Sequence, residues 1–313
     1  MFTRREYLKL ATAAGLSLAV HPTRLWADDR PRALIRRAIP RGEETLPVVG
    51  LGSSASFAQM ANEGSIDGIR DVLQTFTDHG GQVFDTAPSY ASAEEVAADV
   101  AQKLGIVKKL FWATKVNVAR GGGKAKPEEA RAQIERSIER LGKPQMDLIQ
   151  VHNLGDVPTQ LSILKEYRDA GKLRYIGVTT TFPRQYEELE KIMQVEPLDF
   201  IGVDYAIDHR VMEDRIFPLA MDRGIGVLAY QPFGRNRLWR KVEGFALPEW
   251  AGEYDIHTWG QFFLKFVVSH PAVTVATPAT RRPRHIIDNL GAATGVLPDE
   301  VGRRRMIAYL QSL

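Results

Sequence analysis

The chain of 313 residues is 44% hydrophobic and 25% charged, with a formal net charge of +3 at pH 7. This is the composition of an ordinary globular protein, with enough chain for one large domain or two small ones. The sequence contains no cysteine, which excludes disulfides and thiolate metal sites and suits an oxidising compartment.

The first 27 residues have the pattern of a bacterial export signal. Arg4 and Arg5 precede a short, weakly apolar run over residues 10–20, and Ala27 offers a cleavage site. Paired arginines before such a run are typical of twin-arginine signal peptides. The run is too short and too rich in small residues for stable membrane insertion. We therefore expect the twin-arginine machinery to export the folded protein to the periplasm; the alternative is a solvated basic helix.

Removal of residues 1–27 also changes the charge of the chain. It would delete four basic residues and one acidic residue, so the mature chain is formally neutral. A neutral chain gives no electrostatic reason to expect binding to nucleic acid or to a membrane surface. The partners that remain are a small-molecule substrate and, through the signal, the export machinery.

Residues 28–45 are polar and rich in arginine, and they predict a linker that leads into a short hairpin. Over residues 46–313, short apolar or β-branched runs alternate with turn signals and amphipathic helical stretches. The predicted strands are Leu46–Leu51, Gln82–Asp85, Leu110–Lys115, Met146–His152, Leu173–Val178, Phe200–Asp204, Gly226–Tyr230 and Val273–Thr277. The clearest predicted helices are Ile66–His79, Pro127–Leu141, Pro183–Met193, Val211–Asp222, Thr258–Ser269, Pro283–Leu290 and Pro298–Leu310.

Eight strands that alternate with helices predict parallel pairing through right-handed crossovers. The number of strands favours an α/β fold of the (β/α)8 TIM barrel type, as a single domain over residues 46–313. No glycine-rich GxGxxG segment follows any predicted strand, which argues against an open dinucleotide-binding sheet.

Polar side chains stand where several predicted strands end. Asp85 ends the second strand, Lys115 the third and His152 the fourth, and Tyr90 follows Asp85 on the same loop. The active site of a (β/α)8 barrel lies at the carboxyl ends of its strands. We therefore predict that these four residues form a catalytic pocket.

The four residue types fit one chemistry. A buried lysine beside an aspartate keeps its charge, and that charge should lower the pKa of Tyr90 from about 10 towards a working range. The tyrosine then becomes a usable general acid, and the histidine can hold and polarise a substrate carbonyl. Because no side chain supplies hydride, a nicotinamide cofactor is implied.

These segments also resemble the catalytic segments of the aldo-keto reductases. The resemblance runs in order from about residue 46 to residue 291. Its segments are Phe84–Tyr90, Ala113–Val116, Asp147–Asn153, Lys172–Val178, Ala229–Gly234 and Thr277–Gly291.

The resemblance implies a role for each residue. Tyr90 would be the proton donor, Lys115 and Asp85 would tune it, His152 would orient the carbonyl, and Tyr230 would stack on the nicotinamide ring. The cofactor-binding residues that the resemblance implies are Gly52, Ser53, Asn153, Thr179, Thr180, Tyr230, Gln231, Phe233, Gly234, Thr280, Arg281, Arg282, His285, Asp288 and Asn289.

The sequence departs from the family pattern mainly around the cofactor. Many members carry Ser-Asn where this chain has Thr179-Thr180, and glutamine where it has Gly202. A basic residue is frequent at the position of Ala279, and an arginine at the position of His285. The cofactor pocket is therefore less typical than the catalytic one.

The choice between the two nicotinamide dinucleotides depends on nearby arginines. Arg281, Arg282 and Arg284 offer charge for a 2′-phosphate, so NADP(H) is predicted in preference to NAD(H). The long segment over residues 234–255 carries several aromatic and arginine side chains. It is either a lid over the site or an ordinary surface loop.

The predicted function is the NAD(P)(H)-dependent interconversion of an aldehyde or ketone and an alcohol. The main alternative is a non-catalytic nucleotide- or ligand-binding protein on the same barrel, which Gly202 and Thr180 would favour. A sugar hydrolase would pair Asp85 with Asp204, but Lys115 opposes the raised carboxyl pKa that it needs. The histidines show no metal-ligand spacing, so no metal is predicted.

Overall fold

The computed structural model describes residues 33–54, 56–119 and 122–313, so the predicted export signal lies outside the described residues. The strands are β1 Arg36–Ala38, β2 Thr45–Pro47, β3 Leu51–Gly52, β4 Val83–Asp85, β5 Phe111–Val116, β6 Met146–Val151, β7 Leu173–Thr180, β8 Phe200–Asp204, β9 Gly226–Tyr230 and β10 Val275–Ala276. The α-helices are α1 Ser56–Asn62, α2 Ile66–Asp78, α3 Ala93–Lys103, α4 Pro127–Leu141, α5 Val157–Asp169, α6 Tyr186–Val195, α7 Ile216–Arg223, α8 Arg237–Lys241, α9 Trp259–Ser269, α10 Pro283–Gly291 and α11 Glu300–Ser312.

Strands β3 to β10 form one eight-stranded sheet in which each strand pairs in parallel with the next. The sheet curls until its two ends meet. Val49 and Gly52 bridge to Ala276 and Ala279, and the backbone N–H of Gly50 donates to the carbonyl of Ala276 at 2.8 Å. The predicted (β/α)8 barrel is confirmed, as one compact unit over residues 33–313.

The amino-terminal end of the barrel is filled by apolar side chains. Strands β1 and β2 pair as an antiparallel hairpin. Ile39 and Leu46 from this hairpin join Phe111, Phe200 and Val275 in the buried core inside the barrel. Because this end is occupied, the opposite end, where the strands finish, is the one left for a ligand.

The helices cover the outside of the barrel and bury a second, larger apolar core against the strands. Helix α4 shows how local sequence sets their ends: Pro127 occupies its first turn, and Gly142 ends it with φ of 60°, a conformation that glycine adopts without strain. None of the described helices is both long and apolar enough to cross a membrane.

Some element boundaries differ from the predicted ones. The strand predicted over Leu46–Leu51 is divided between β2, which pairs with β1, and β3, which pairs with β4, because Val48 and Gly50 between them bond to Ala276 at the closure of the barrel. The helix predicted over Val211–Asp222 begins as α7 at Ile216. This places Pro218 in the first turn, where a missing N–H costs nothing.

Candidate active site

A cavity of about 450 Å³ opens at the carboxyl ends of the strands. Asp85, Tyr90 and His152 line it, and Lys115 lies just beneath, only 2% exposed and bonded to Asp85. Strands β4, β5 and β6 end side by side, which is why residues far apart in sequence meet here. The structure therefore brings the four predicted catalytic residues together.

The centre of the site is a buried ion pair. The ammonium of Lys115 lies 2.9 Å from each carboxylate oxygen of Asp85, and it also donates to the carbonyl of Thr86 at 2.7 Å. Burial raises the pKa of Asp85 above its ordinary value, and Lys115 and Tyr230 offset only part of that rise. Burial opposes the charge on Lys115 too, but Asp85 and Tyr90 outweigh it and raise the pKa of Lys115. With three donated bonds in place, the pair stays ionised around neutral pH.

Tyr90 lies on the other side of this lysine, whose ammonium is 5.2 Å from the centre of the tyrosine ring. Burial raises the pKa of Tyr90, the Lys115 charge lowers it, and the Asp85 charge raises it. The net shift is upward, which differs from the predicted fall. The reason is that loss of water around the phenolate outweighs the stabilisation that one ammonium provides.

His152 packs edge-on against Tyr90, with ring centres 5.7 Å apart. Its Nδ1 lies 3.2 Å from the hydroxyl of Ser89. Burial and the Lys115 charge lower the pKa of His152 to about 3. The ring is therefore neutral at physiological pH, and it can donate one N–H to an acceptor in the cavity.

The backbone just beyond His152 is strained. Asn153, Leu154 and Asp156 all have positive φ angles, of 55°, 51° and 36°. Such angles in residues other than glycine persist only where the surrounding structure enforces them, and they concentrate at functional sites. Here the carbonyl of Asn153 accepts a hydrogen bond from Gln185 at 2.9 Å.

The two threonines predicted to bind the cofactor diverge. Thr179 lines the cavity together with Thr181. Thr180 is buried behind the wall, where its hydroxyl bonds to Gln185 at 2.6 Å. The difference follows from the strand itself, since successive side chains point to opposite faces. The structure thus offers Thr181, rather than Thr180, to a ligand.

A second cavity, of about 850 Å³, lies beside the first. Three residues line both cavities, namely Phe233, Asn236 and Ala279, so the two form one continuous trough. The far end of the trough is lined by Thr280, His285, Asp288 and Asn289, which were predicted to bind the cofactor. Gln231 lines the catalytic cavity, and Gly234 lines a neighbouring one.

The wall of the second cavity is aromatic. Trp239, Phe245 and Trp259 line it, and the indole N–H of Trp259 donates to the carbonyl of Phe245 at 2.9 Å. This bond ties the long segment after β9 to helix α9. Part of that segment, predicted as a lid or a surface loop, thus forms a wall of the trough.

The predicted arginines lie outside the lining of the trough. Arg281 pairs with Glu63 at 3.1 Å, and neither Arg281 nor Arg282 lines either cavity.

Gly52 lies in the trough wall, and a Cβ there would stand 2.8 Å from the carbonyl of Thr277. The hydroxyls of Ser53 and Thr277 are buried without a partner among the described residues.

Two site features were not predicted from the sequence. Gln150 is fully buried beneath the cavity and faces Tyr230 at 3.1 Å. Its position two residues before His152 on one strand places both side chains on the same face, so alternation was a usable signal. No comparable signal marks Ser89, because its place depends on how its loop folds back.

The hydrolase alternative fails on position. Asp204 accepts a hydrogen bond from Tyr186 at 2.8 Å and pairs with His209 at 3.2 Å. It lines a neighbouring cavity and not the one that Asp85 lines. Within the described part of the chain, no group of three potential metal ligands is found.

Comparison with known proteins agrees with this geometry. The profile of the Aldo/keto reductase family matches residues 48–305. Aldo-keto reductase YhdN of Bacillus subtilis is 31% identical over 207 residues, which cover 62% of this chain and 60% of that protein. Probable aldo-keto reductase 1 of Glycine max is 25% identical over 267 residues, covering 72% and 74%.

Solved structures show the same fold. An aldo-keto reductase from Klebsiella pneumoniae, in complex with NADPH, aligns with a TM-score of 0.71 at 24% identity, over 90% of this chain and 94% of that one. An aldo/keto reductase from the same organism, in complex with NADP and acetate, gives a TM-score of 0.69, also at 24% identity, over 85% and 92%.

The family match spans most of the chain, and the chain belongs to the aldo/keto reductase family. It is an oxidoreductase of the aldo-keto reductase type, acting between carbonyl compounds and alcohols.

Proposed function

We propose that this protein is an exported NADP(H)-dependent oxidoreductase that reduces aldehydes or ketones, or runs the reverse oxidation of an alcohol, with Tyr90 as the general acid and base. The observation that carries the proposal is the position of Lys115. Its ammonium touches Asp85 at 2.9 Å and lies 5.2 Å from the Tyr90 ring centre, beside a neutral His152.

The trough fits a nicotinamide dinucleotide. It joins two cavities of about 450 and 850 Å³, with the predicted catalytic groups in the first and an aromatic wall in the second. The buried hydroxyl of Thr277, which lines the trough, has no partner among the described residues, as expected where a polar ligand would complete the bonding. When bound, the nicotinamide supplies or accepts the hydride. The Klebsiella pneumoniae structures named above, solved with NADP or NADPH, support NADP(H) as this chain's cofactor.

The side chains of this protein then handle the carbonyl and its proton. The neutral ring of His152 donates an N–H to the carbonyl oxygen and fixes its angle. The hydroxyl of Tyr90 gives its proton to that oxygen as the alcohol forms, and recovers it in the reverse direction. The charge of Lys115 stabilises the resulting phenolate, and Asp85 keeps Lys115 charged.

Export is part of the proposal, and it raises a question of cofactor supply. Arg4 and Arg5 support it, together with the absence of cysteine. A protein exported folded can carry a nucleotide loaded in the cytoplasm. Because the periplasm is not expected to hold a free nicotinamide pool, we propose that the cofactor is retained tightly and is re-reduced by a second substrate.

The substitution Tyr90→Phe tests the chemistry. We expect it to lower turnover of an aldehyde with NADPH by a factor of about 10² to 10⁴, since the proton donor is lost. Affinity for NADPH, measured by fluorescence titration, should stay near that of the wild type. Tyr167→Phe, which removes a hydroxyl bonded to Glu135 outside the barrel, is the matched control and should keep full turnover.

Two results would contradict this proposal. A wild-type protein that binds NADPH but turns over no carbonyl compound would be the non-catalytic binding protein. If the mature protein neither released a nucleotide to mass spectrometry nor bound one by titration, the cofactor assignment would fail.

A further inference from the structure

We propose that Tyr230 is a positioning residue for Asp85, and that the absence of a side chain at Gly202 is what allows it to act. The hydroxyl of Tyr230 donates to Asp85 Oδ1 at 3.1 Å and lies 3.1 Å from Gln150 Oε1. The inference rests on the proposed function and deepens it, because it adds a group that sets the proton donor's environment through Asp85 without transferring a proton itself.

The single proton of this hydroxyl goes to the carboxylate. Asp85 is ionised, and a hydrogen bond to a charged acceptor is about twice as strong as one to a neutral amide. Asp85 therefore accepts three hydrogen bonds from two donor groups, two from Lys115 and one from Tyr230. The ammonium of Lys115 also lies 5.4 Å from the centre of the Tyr230 ring, so Tyr230 contacts both members of the ion pair.

Gly202 leaves the space that the Tyr230 ring occupies. A Cβ at position 202 would stand 2.4 Å from Cε2 of Tyr230 and 2.6 Å from its hydroxyl oxygen. Contacts this short do not occur, so any side chain at position 202 would expel the ring. The departure from the family pattern at position 202 therefore has a structural consequence. Where many members carry a glutamine amide, this chain has space for the hydroxyl of Tyr230 inside the barrel.

This arrangement does not remove Tyr230 from the ligand cavity. The residue is partly exposed and lines the cavity together with Tyr90 and His152. Its hydroxyl points down into the barrel, while part of the ring remains at the cavity surface. Stacking on a nicotinamide and positioning of Asp85 are thus compatible roles for one side chain.

The positioning bond should affect the Tyr90 proton through Lys115. The Tyr230 hydroxyl balances part of the negative charge of Asp85. Without it, Asp85 attracts Lys115 more strongly, and less of the ammonium's charge is available to the Tyr90 phenolate. The pKa of Tyr90 should then rise.

The test compares Tyr230→Phe, Gly202→Ala and the double variant in the full chain. In alcohol oxidation, which needs ionised Tyr90, Y230F should raise the pH of half-maximal kcat by about one unit. At neutral pH, kcat should fall roughly tenfold while KM for the alcohol changes little. Gly202→Ala should give the same pH shift by expelling the ring, and the double variant should show no further shift.

Tyr175→Phe is the matched control. It removes a tyrosine hydroxyl that donates to the carboxylate of Glu44 at 2.9 Å, near the amino-terminal end of the barrel. Its pH profile should match that of the wild type. An unchanged profile in Y230F, or a shift in G202A that adds to that of Y230F, would overturn the proposal.

A readout independent of turnover separates this proposal from the proposed function. Labelling with [13Cζ]tyrosine allows the ionisation of Tyr90 to be followed by NMR, with its signal assigned from Tyr90→Phe. The titration should move upward in Y230F whether or not a substrate is known. If the wild type lacked turnover, the proposed function would fail, and this titration would still decide the role of Tyr230.

Discussion

Lys115 and Asp85 carry two opposite charges in the buried part of the site, and neither residue can be replaced without affecting the other. Both side chains are almost completely buried, at 2% and 4% exposure. Each is tolerated only because the other is present, since an isolated buried charge costs several kcal/mol. The same pair serves the proposed proton transfer, so stability and activity should respond differently when one or both charges are removed.

Lys115→Met should destabilise the protein by about 3–5 kcal/mol at pH 7, because Asp85 is left buried and unpaired. The deficit should shrink as the pH is lowered, since protonation removes the charge on Asp85. The double variant Asp85→Asn with Lys115→Met should recover much of the stability but none of the turnover. Urea denaturation and an aldehyde-reduction assay measure the two effects. A double variant no more stable than Lys115→Met would refute this account of the pair.

At the scale of elements, the sequence predicts the helices and strands whose ends are marked by turn residues or by the end of an apolar run. The predicted catalytic residues follow this rule, because Asp85 and Lys115 stand where an apolar run stops. Helices α1, α3, α5 and α8 are not among the predicted ones: α1 and α8 are short, α3 is rich in alanine, and α5 has only a weak apolar stripe. The exchange of Thr180 for Thr181 follows from the alternation of side chains along the strand, which places the two on opposite faces but does not say which face lines the cavity. The aromatic wall of Trp239 and Trp259 depends on loop folding, which local spacing does not encode.

The proposed location depends on the export signal predicted over residues 1–27. Replacing Arg4 and Arg5 by lysine keeps the charge but removes the guanidinium pair that the twin-arginine route requires. We expect this variant to remain in the cytoplasm with residues 1–27 attached, whereas the wild-type chain should appear in the periplasm, starting at Asp28. Cell fractionation and amino-terminal mass spectrometry measure both. Equal export of the two proteins would exclude this route.

At the scale of the whole molecule, each end of the barrel holds a histidine with a lowered pKa, so the stability of the folded protein should fall in acid. The cavity end contains His152, whose pKa burial and Lys115 lower to about 3. Towards the amino-terminal end, between α9 and β10, lies His270. Burial, Arg303 and Arg37 lower the pKa of His270 to about 4. Each ring takes up a proton more readily in the unfolded chain than in the folded protein.

The sign of the pH dependence follows from that difference. Above pH 6.5, the ordinary histidine pKa, both rings are neutral in the folded protein and in the unfolded chain. Protonation of these rings then takes nothing from the free energy of unfolding. As the pH falls from about 6.5 towards 4, the unfolded state binds protons that the folded state excludes, so the free energy of unfolding decreases. For His270, whose ring is partly exposed, we expect a loss of about 1–2 kcal/mol after solvent screening is allowed for.

His270→Asn isolates this contribution. Nδ1 of His270 accepts the backbone N–H of Ala272 at 3.2 Å, and an asparagine oxygen can accept the same bond. The variant should be less stable at pH 7, because the ring contact with Phe217 at 4.7 Å is lost. Between pH 6.5 and 4, however, it should lose about 1–2 kcal/mol less than the wild type. Urea denaturation across this range, with the exposed His79→Asn as control, measures the difference. Parallel curves for wild type and His270→Asn would show that His270 does not carry the acid sensitivity.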